Sequence, residues 1–184
     1  MTTAHTNDDA DFKIVALVSS VGGLTATTEV LDRFPADFPA AILVLQHAEP
    51  TRISELPDIL GRRTAVSVQA AVDGSTLRPG QVLVCPSGWH TLISVDLTVQ
   101  LIVSGAYPPS RPSADLLLTT LAMAAGARVI AVVLTGGGID GATGATAVHR
   151  FGGCVIASDR ASSEVFSMPE ATIGRTAPST ASCR

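Results

Sequence analysis

IVALVSSVGGLTATTEVLDRF (residues 14–34) joins a continuous apolar run to a helical pattern through a pair of glycines. The run IVALVSS (14–20) has the length of a strand and almost no polar residue, as expected for a strand covered on both faces of a sheet. Gly22–Gly23 interrupts the run, and TATTEVLDRF (25–34) has the pattern of a helix that ends at Pro35. This stretch predicts the first strand, turn and helix of an α/β domain.

The alternation of strand and helix continues along the chain. The other strand-like runs are AAILVLQH (40–47), AVSVQA (65–70), RPGQVLVCP (78–86), HTLISVDLTVQLIV (90–103), RVIAVVLT (128–135) and CVIAS (154–158). The other helical patterns are TRISELPDILGRR (51–63), ADLLLTTLAMAAG (114–126) and GATGATAVHRFGG (141–153). Apolar strands separated by helices predict an α/β fold with three layers and a doubly wound, mainly parallel sheet. Residues 65–103 are expected to form an antiparallel meander inserted at one edge.

The length of the chain suits one domain with short tails. Within its 184 residues we expect a disordered N-terminal tail over 1–12, a folded domain over 13–175 and a disordered C-terminal tail over 176–184. No apolar run approaches the roughly 20 residues needed to cross a bilayer. The N-terminal residues also lack a basic-then-apolar leader. We therefore expect a cytoplasmic protein without membrane insertion.

The composition excludes several classes of protein. With 46% hydrophobic and 15% charged residues, the chain is too apolar to be disordered. A net charge of -4 without a basic block argues against nucleic-acid binding. Cys85, Cys154 and Cys183 form no CxxC pair, which argues against a disulfide framework and a structural zinc site.

Three residues with complementary chemistry follow predicted strands. Ser20, His47 and Asp140 come after the strands that begin at residues 14, 40 and 128. Ligands of open parallel sheets bind beyond the carboxyl ends of the strands. A hydroxyl, an imidazole and a carboxylate there are the parts of a nucleophile, its base and its orienting group. The order Ser, His, Asp and the presence of Val18 instead of the first glycine of GxSxG argue against an α/β-hydrolase.

Simpler interpretations of the same residues stay open at this point. A serine before two glycines is more often a turn or helix cap than a nucleophile, and a histidine after a strand is commonly only a satisfied polar terminus. TGGGIDGATG (135–144) could cradle a phosphate at a helix N-terminus, although it lacks the P-loop lysine and the GxGxxG spacing. His90 begins a predicted strand, so we interpret it as structural or as part of a pocket rim.

Six short segments, in order along the chain, resemble one known family. They are SSVGGL (19–24), LQHAEP (45–50), DGSTLRPGQVLVCPSGWH (73–90), RPSADLL (111–117), LTGGGIDGATG (134–144) and VFSMPEATI (165–173). Together they resemble the catalytic domain of the chemotaxis protein-glutamate methylesterase (CheB-type) family, over about residues 14–175. The resemblance implies a doubly wound, mainly parallel α/β domain that removes methyl esters from glutamate side chains and can also deamidate glutamines.

The resemblance also implies roles for individual residues. Ser20 corresponds to the nucleophile of the family's Ser-x-Gly-Gly turn, His47 to the base of its Gln-His pair, and Asp140 to the orienting acid of its Gly-x-Asp-Gly-Ala segment. These are the residues that the strand ends select independently. No metal ion or other cofactor is implied.

Backbone N–H groups near the nucleophile are expected to bind the oxyanion. The candidates are Val21 and Gly22 after the first strand, and Gly137 and Gly138 within the glycine loop. The chain departs from the family here, because Val21 replaces a common threonine and Gly137 replaces the methionine of a Thr-Gly-Met-Gly loop. Val18 also replaces the glycine two positions before the nucleophile.

The expected partners follow from the resemblance. They are the methylated cytoplasmic helices of chemoreceptors or a similar signalling protein, and the enzyme is expected to be a monomer. Few residues precede the first strand, so we expect any phosphoacceptor receiver domain to be a separate regulator. Two alternatives remain: a catalytically weakened homologue that acts as a binding module in signalling, and a small-ester hydrolase or phosphate-ligand binder.

Overall fold

The computed structural model describes residues 12–51, 54–103 and 110–176, and within them eight strands form two sheets. The strands are β1 (Lys13–Ser19), β2 (Ala40–Gln46), β3 (Ser67–Ala70), β4 (Gln81–Val84), β5 (Trp89–Ile93), β6 (Val99–Val103), β7 (Val129–Val133) and β8 (Cys154–Ala157). The α-helices are α1 (Gly23–Leu31), α2 (Leu56–Gly61), α3 (Ala114–Ala125), α4 (Ala142–Arg150) and α5 (Ser167–Thr176). Six strands form one parallel sheet in the order β3-β4-β2-β1-β7-β8.

Helices bury both faces of the parallel sheet, as the uninterrupted apolar strands predict. One buried cluster joins Ile14 of β1 to Leu117 of α3 and Val148 of α4. The other joins Leu17 of β1 to Leu31 of α1, together with α2. Consecutive β1 side chains therefore pack against different helical layers, which is why the strand needs apolar residues throughout. The predicted three-layer, doubly wound α/β fold is confirmed.

The register of the central strands brings their carboxyl ends together. β1 lies between β2 and β7, with Ser19 opposite Gln46 and Val18 opposite Val133. The next residues of β1 and β2 are therefore neighbours at one edge of the sheet. This edge is the place where a doubly wound sheet binds its ligands.

The antiparallel part of the fold is smaller than the predicted meander. β5 and β6 pair with each other in a separate two-stranded sheet, and Asp96 lies in the turn between them. β3 and β4 instead join the main sheet in parallel. In an edge strand such as β3, where Ser67 and Gln69 are exposed, alternating apolar and polar residues indicate that one face of the strand is solvated. They do not indicate strand direction, so the pattern could not separate β3 and β4 from the hairpin.

Helix α5 is absent from the elements predicted from the sequence. It is short and mostly polar, and Pro169 lies in its first turn. The N–H groups of a first turn have no intrahelical acceptor, so a proline there costs the helix no hydrogen bond. The helix ends at Thr176, one position beyond the expected boundary of the folded domain. The rest of the expected tails, apart from Phe12, lies outside the described residues. None of the described helices is long and apolar enough to cross a membrane.

Leu117 provides a test of the core between α3 and the sheet. Its side chain is fully buried, so Leu117→Ala should lower the free energy of unfolding by about 2–5 kcal/mol through lost burial and a residual cavity. Met123→Ala is the matched control on the same helix, because this side chain is 66% exposed, and should change stability by less than about 0.5 kcal/mol. Urea unfolding of both variants measures the difference, and equal effects would contradict this packing.

Candidate active site

The three candidate catalytic residues lie on three adjacent strand ends. Ser20 directly follows β1, His47 directly follows β2, and Asp140 lies in the loop between β7 and α4. Backbone hydrogen bonds hold the first two in place: Ser20 N donates to Thr135 O at 3.0 Å, and His47 N donates to Ser19 O at 3.0 Å. The parallel hydrogen-bond ladder thus continues for one residue past each strand and fixes the backbone from which both side chains extend.

A short hydrogen bond joins His47 to Asp140. Nε2 of His47 lies 2.8 Å from Oδ2 of Asp140, and both side chains are largely buried, with exposures of 14% and 8%. Because Nε2 faces the carboxylate, Nδ1 is the ring nitrogen left for a partner on the other side. Within the described residues Ser20 makes no side-chain hydrogen bond to His47, although bonds of this type commonly tighten only when substrate is bound.

The carboxylate of Asp140 accepts hydrogen bonds from several donors at the start of α3. Besides His47, these are Ala114 N at 2.7 Å, Asp115 N at 3.1 Å and Ser113 Oγ at 3.2 Å. Burial by itself raises the pKa of Asp140, but the hydrogen bonds from His47 and the two amides outweigh it and lower the pKa below its ordinary value. Asp140 is therefore an anion at neutral pH.

Asp115 makes the reciprocal contact at the start of α4. Its Oδ1 accepts from Gly141 N at 2.9 Å and from Gly144 N at 2.8 Å. Asp140 thus caps the helix that contains Asp115, and Asp115 caps the helix that follows Asp140, which stabilises both N-termini and fixes the loop that carries Asp140. Asp115 is not among the site residues predicted from the sequence. The available signal was its position two residues after Ser113, which caps α3 through its hydroxyl.

His90 supports the start of α3 through a hydrogen bond with Ser113. Its ring is 2% exposed, and Nδ1 accepts a hydrogen bond from Ser113 N at 3.0 Å. Burial lowers the pKa of His90; nearby Asp140 opposes this effect and nearby Arg111 adds to it. A neutral His90 that accepts a hydrogen bond from Ser113, the N-cap residue of α3, is consistent with a structural role.

The four candidate oxyanion residues lie in two loops next to Ser20. Gly22 has φ of 77° at the start of α1, and Gly138 has φ of 85°, so both turns use backbone conformations that favour glycine. In the part of the chain that the structure describes, the amides of Val21 and Gly22 donate no hydrogen bond. A Cβ added to Gly137 would meet no heavy atom within 4 Å, so this position is open.

Gly136 is the glycine that touches the candidate nucleophile. A Cβ at this position would lie 2.9 Å from Ser20 Cβ and would overlap Met168 Sδ. Its amide donates to Val165 O at 2.8 Å, and its carbonyl accepts from Met168 N at 3.0 Å. Helix α5 therefore braces the glycine loop against Ser20 through buried Met168. The sequence analysis included Met168 in a family-like segment but assigned it no role.

Cys85 is another nucleophilic side chain that follows a strand of the sheet. It comes directly after β4 and is buried. Burial raises the pKa of this thiol to about 12, so it remains protonated and unreactive at neutral pH. Among the described residues, no group of three His, Cys, Asp or Glu side chains could hold a metal ion.

These observations define the class of the protein: a doubly wound α/β domain with a buried His–Asp pair next to a serine at the carboxyl edge of its parallel sheet. The model of the CheB methylesterase family matches residues 15–182. The chain belongs to the CheB methylesterase family.

Individual relatives agree with this assignment. The chain is 34% identical over 172 residues to protein-glutamate methylesterase/protein-glutamine glutaminase 2 of Pseudomonas savastanoi pv. phaseolicola, covering 94% of this chain and 44% of that protein. It is 38% identical over 162 residues to protein-glutamate methylesterase FrzG of Myxococcus xanthus, covering 88% of this chain and 48% of that protein. The chain thus spans less than half the length of these relatives.

A solved structure has the same fold. The crystal structure of the Thermotoga maritima CheB methylesterase catalytic domain superimposes with a TM-score of 0.83 at 35% sequence identity. The match covers 89% of this chain and 88% of that domain. The similarity therefore extends over nearly the whole of a catalytic domain.

Gly136 and Gly137 form a matched pair for testing the glycine loop. Gly136→Ala should lower the free energy of unfolding by roughly 1–3 kcal/mol, because the added methyl group collides with Met168 and Ser20. Gly137→Ala adds the same group in open space and should change stability by about 0.5 kcal/mol or less. Thermal and urea unfolding measure both variants. An equally stable G136A protein would show that the loop is not packed as described.

Asp140→Asn tests the contribution of the carboxylate charge. Folding lowers the pKa of Asp140 from its ordinary value of 3.8, so the charged carboxylate stabilises the folded protein fully above that value. This contribution to stability is lost as the pH falls through the folded-state pKa. We expect D140N to be less stable by roughly 1–3 kcal/mol at pH 7, with a difference that shrinks below about pH 4. Urea titrations from neutral to acidic pH measure it. Exposed Asp37→Asn is the control, and a pH-independent deficit in D140N would contradict this account.

Proposed function

We propose that this chain is the catalytic unit of a protein-glutamate methylesterase, with its catalytic domain over residues 13–175. The observation that carries the proposal is the 2.8 Å bond between His47 and Asp140 next to the strand end that bears Ser20, in a chain of the CheB methylesterase family. Ser20 is the proposed nucleophile, His47 the general base and Asp140 the residue that orients the ring.

The reaction follows from ordinary acyl transfer. His47, through Nδ1, removes the proton from Ser20 Oγ, and the oxygen attacks the γ-carbonyl carbon of a methylated glutamate. The tetrahedral intermediate collapses as His47 returns the proton to the methoxide, so that methanol leaves and an ester to Ser20 remains. A water molecule, deprotonated by His47, attacks this ester, and Ser20 recovers the proton. Asp140 supports the imidazolium in both halves.

Backbone amides are the proposed source of oxyanion stabilisation. Val21 and Gly22 follow the nucleophile directly, and their N–H groups have no acceptor among the described residues. Gly137 and Gly138 lie in the loop that Gly136 packs against Ser20. Each donor of this kind commonly contributes about 2.7–4 kcal/mol to lowering the barrier. Backbone donors do not require the threonine or methionine that the family carries at positions 21 and 137.

The substrate class follows from the names of the relatives. Several of them are called protein-glutamate methylesterase/protein-glutamine glutaminase, which supports methylated glutamates, and also glutamines, of a protein as substrates here. We propose chemoreceptor cytoplasmic helices or a similar signalling protein as that protein. Both reactions use the same acyl intermediate, with ammonia replacing methanol as the leaving group. We further propose a cytoplasmic monomer, without a metal ion or cofactor in the reaction.

Ser20→Ala tests the proposed nucleophile. We expect methanol release from a methylated receptor fragment to fall by at least about 10³-fold, because no other oxygen can form the acyl intermediate. Ser67→Ala is the control, since Ser67 lies exposed on edge strand β3 and should leave methanol release unchanged. A serine-directed phosphonate should label the parent protein and the control but not S20A.

Two results would count against the proposal. Unchanged methanol release in S20A would exclude Ser20 as the nucleophile. If the parent protein neither released methanol nor reacted with the phosphonate, the catalytically weakened homologue acting as a binding module would be the better description. The exposed Val21 and the open position at Gly137 are the features that favour this second candidate.

A further inference from the structure

A cleft opens beside the candidate base on the side of the loop that follows β2. Its described lining consists of His47, Ala48, Glu49, Pro50, Ser110 and Arg111. The two lining segments are tied together by their backbones, because Ala48 N donates to Arg111 O at 3.0 Å. Arg111 is consequently held at a fixed position next to the reacting groups, although it has no part in the proposed acyl transfer.

The side-chain N–H donors of Arg111 have no hydrogen-bond or ion-pair partner among the described residues. The ion pairs within the described residues are His47–Asp140 and Arg160–Glu170, and no side-chain hydrogen bond of Arg111 is formed to any of those residues. The residue as a whole is nevertheless half-buried. A guanidinium offers a planar fork of N–H donors that matches a carboxylate, and a partly buried one gains most from such a partner.

The neighbouring groups do not neutralise this charge. Asp140 is engaged by His47 and by the α3 amides, and Glu49 lines the same cleft without forming an ion pair to Arg111 in the described structure. The effect of Arg111 extends to His90, whose pKa is lowered first by burial and further by the Arg111 charge, against the opposing effect of Asp140. The cleft thus presents a cation near the candidate base.

We propose that Arg111 is a binding residue that holds a carboxylate of the substrate or product protein beside the candidate base. The inference rests on the proposed function for its substrate and adds a chemical requirement: a carboxylate in the bound protein. Two carboxylates meet the requirement. One belongs to an acidic side chain beside the methylated glutamate, and the other is the product carboxylate that hydrolysis leaves.

Binding to the Ser20→Ala protein tests the proposal without requiring turnover. Three labelled helical peptides serve as probes: a γ-methyl glutamate with glutamates adjacent and one turn away, the same ester with glutamines at those positions, and the demethylated form of the glutamine peptide. Fluorescence anisotropy should show that S20A binds a carboxylate-bearing peptide about tenfold more tightly than the neutral one, as expected for one charge-assisted hydrogen bond in a partly exposed site. Added salt should reduce this preference.

The preference should disappear when Arg111→Gln is added to S20A. Arg150→Gln, an exposed arginine on α4, is the matched control and should retain it. Glu49→Gln removes the opposing charge from the cleft and should strengthen the preference. Arg111→Glu should reverse it, so that a peptide with lysines at the flanking positions binds best; this charge reversal separates a direct contact from a loss of folding.

The outcomes assign the source of the carboxylate. An R111Q effect confined to the glutamate-flanked ester identifies the neighbouring acid, and one confined to the demethylated peptide identifies the product. Equal affinities of S20A and S20A/R111Q for each of the three peptides, including no measurable binding, would overturn the proposal. Methanol release is measured separately on the parent protein, so a charge preference without turnover would refute the proposed function and leave the carboxylate site standing.

Discussion

The carboxylate of Asp140 is the group on which the geometry of this edge of the molecule depends. Its Oδ2 accepts hydrogen bonds from His47 at 2.8 Å and from Ala114 N at 2.7 Å, and its Oδ1 accepts from Asp115 N at 3.1 Å. The same anion therefore caps a helix and orients an imidazole. Because the helix packs against the sheet through its buried leucines, the position of the ring is tied to the core rather than to a loose loop. A carboxylate so well supplied with donors remains charged despite its burial.

The surroundings of Asp140 are built from backbone contacts more than from side chains. Asp115 caps α4 in return, and Gly136 is clamped between Ser20 and Met168. These contacts fix the glycine loop although it has few side chains of its own, which compensates for the conformational freedom of consecutive glycines. Preorganised N–H donors act through their position, so in the proposed reaction the contacts that hold the backbone would matter more to oxyanion binding than the identity of residue 137.

Much of the fold and the proximity of three candidate site residues could be predicted from the sequence because the relevant strands are apolar on both faces. Such runs mark buried parallel strands, and the residues after them fall at one edge, which places Ser20, His47 and Asp140 near each other. The cross-capping of Asp115, the role of Met168 and the parallel direction of β3 depend on contacts between segments far apart in the chain. No local pattern contains that information. Helix α5 could not be predicted because its stability comes from packing against the glycine loop and α4 rather than from its own polar, proline-containing sequence.

The geometry also bears on which ring nitrogen handles the proton in the proposed reaction. With Nε2 committed to Asp140, a neutral His47 carries its hydrogen on Nε2 and presents the Nδ1 lone pair, the form that a general base requires. Rotating the ring would break the bond to an anion that is already desolvated, which is costly in a site this buried. The tautomer is thus selected by the orienting carboxylate. It follows that the donors at the start of α3 set the direction in which His47 would accept a proton in the proposed reaction.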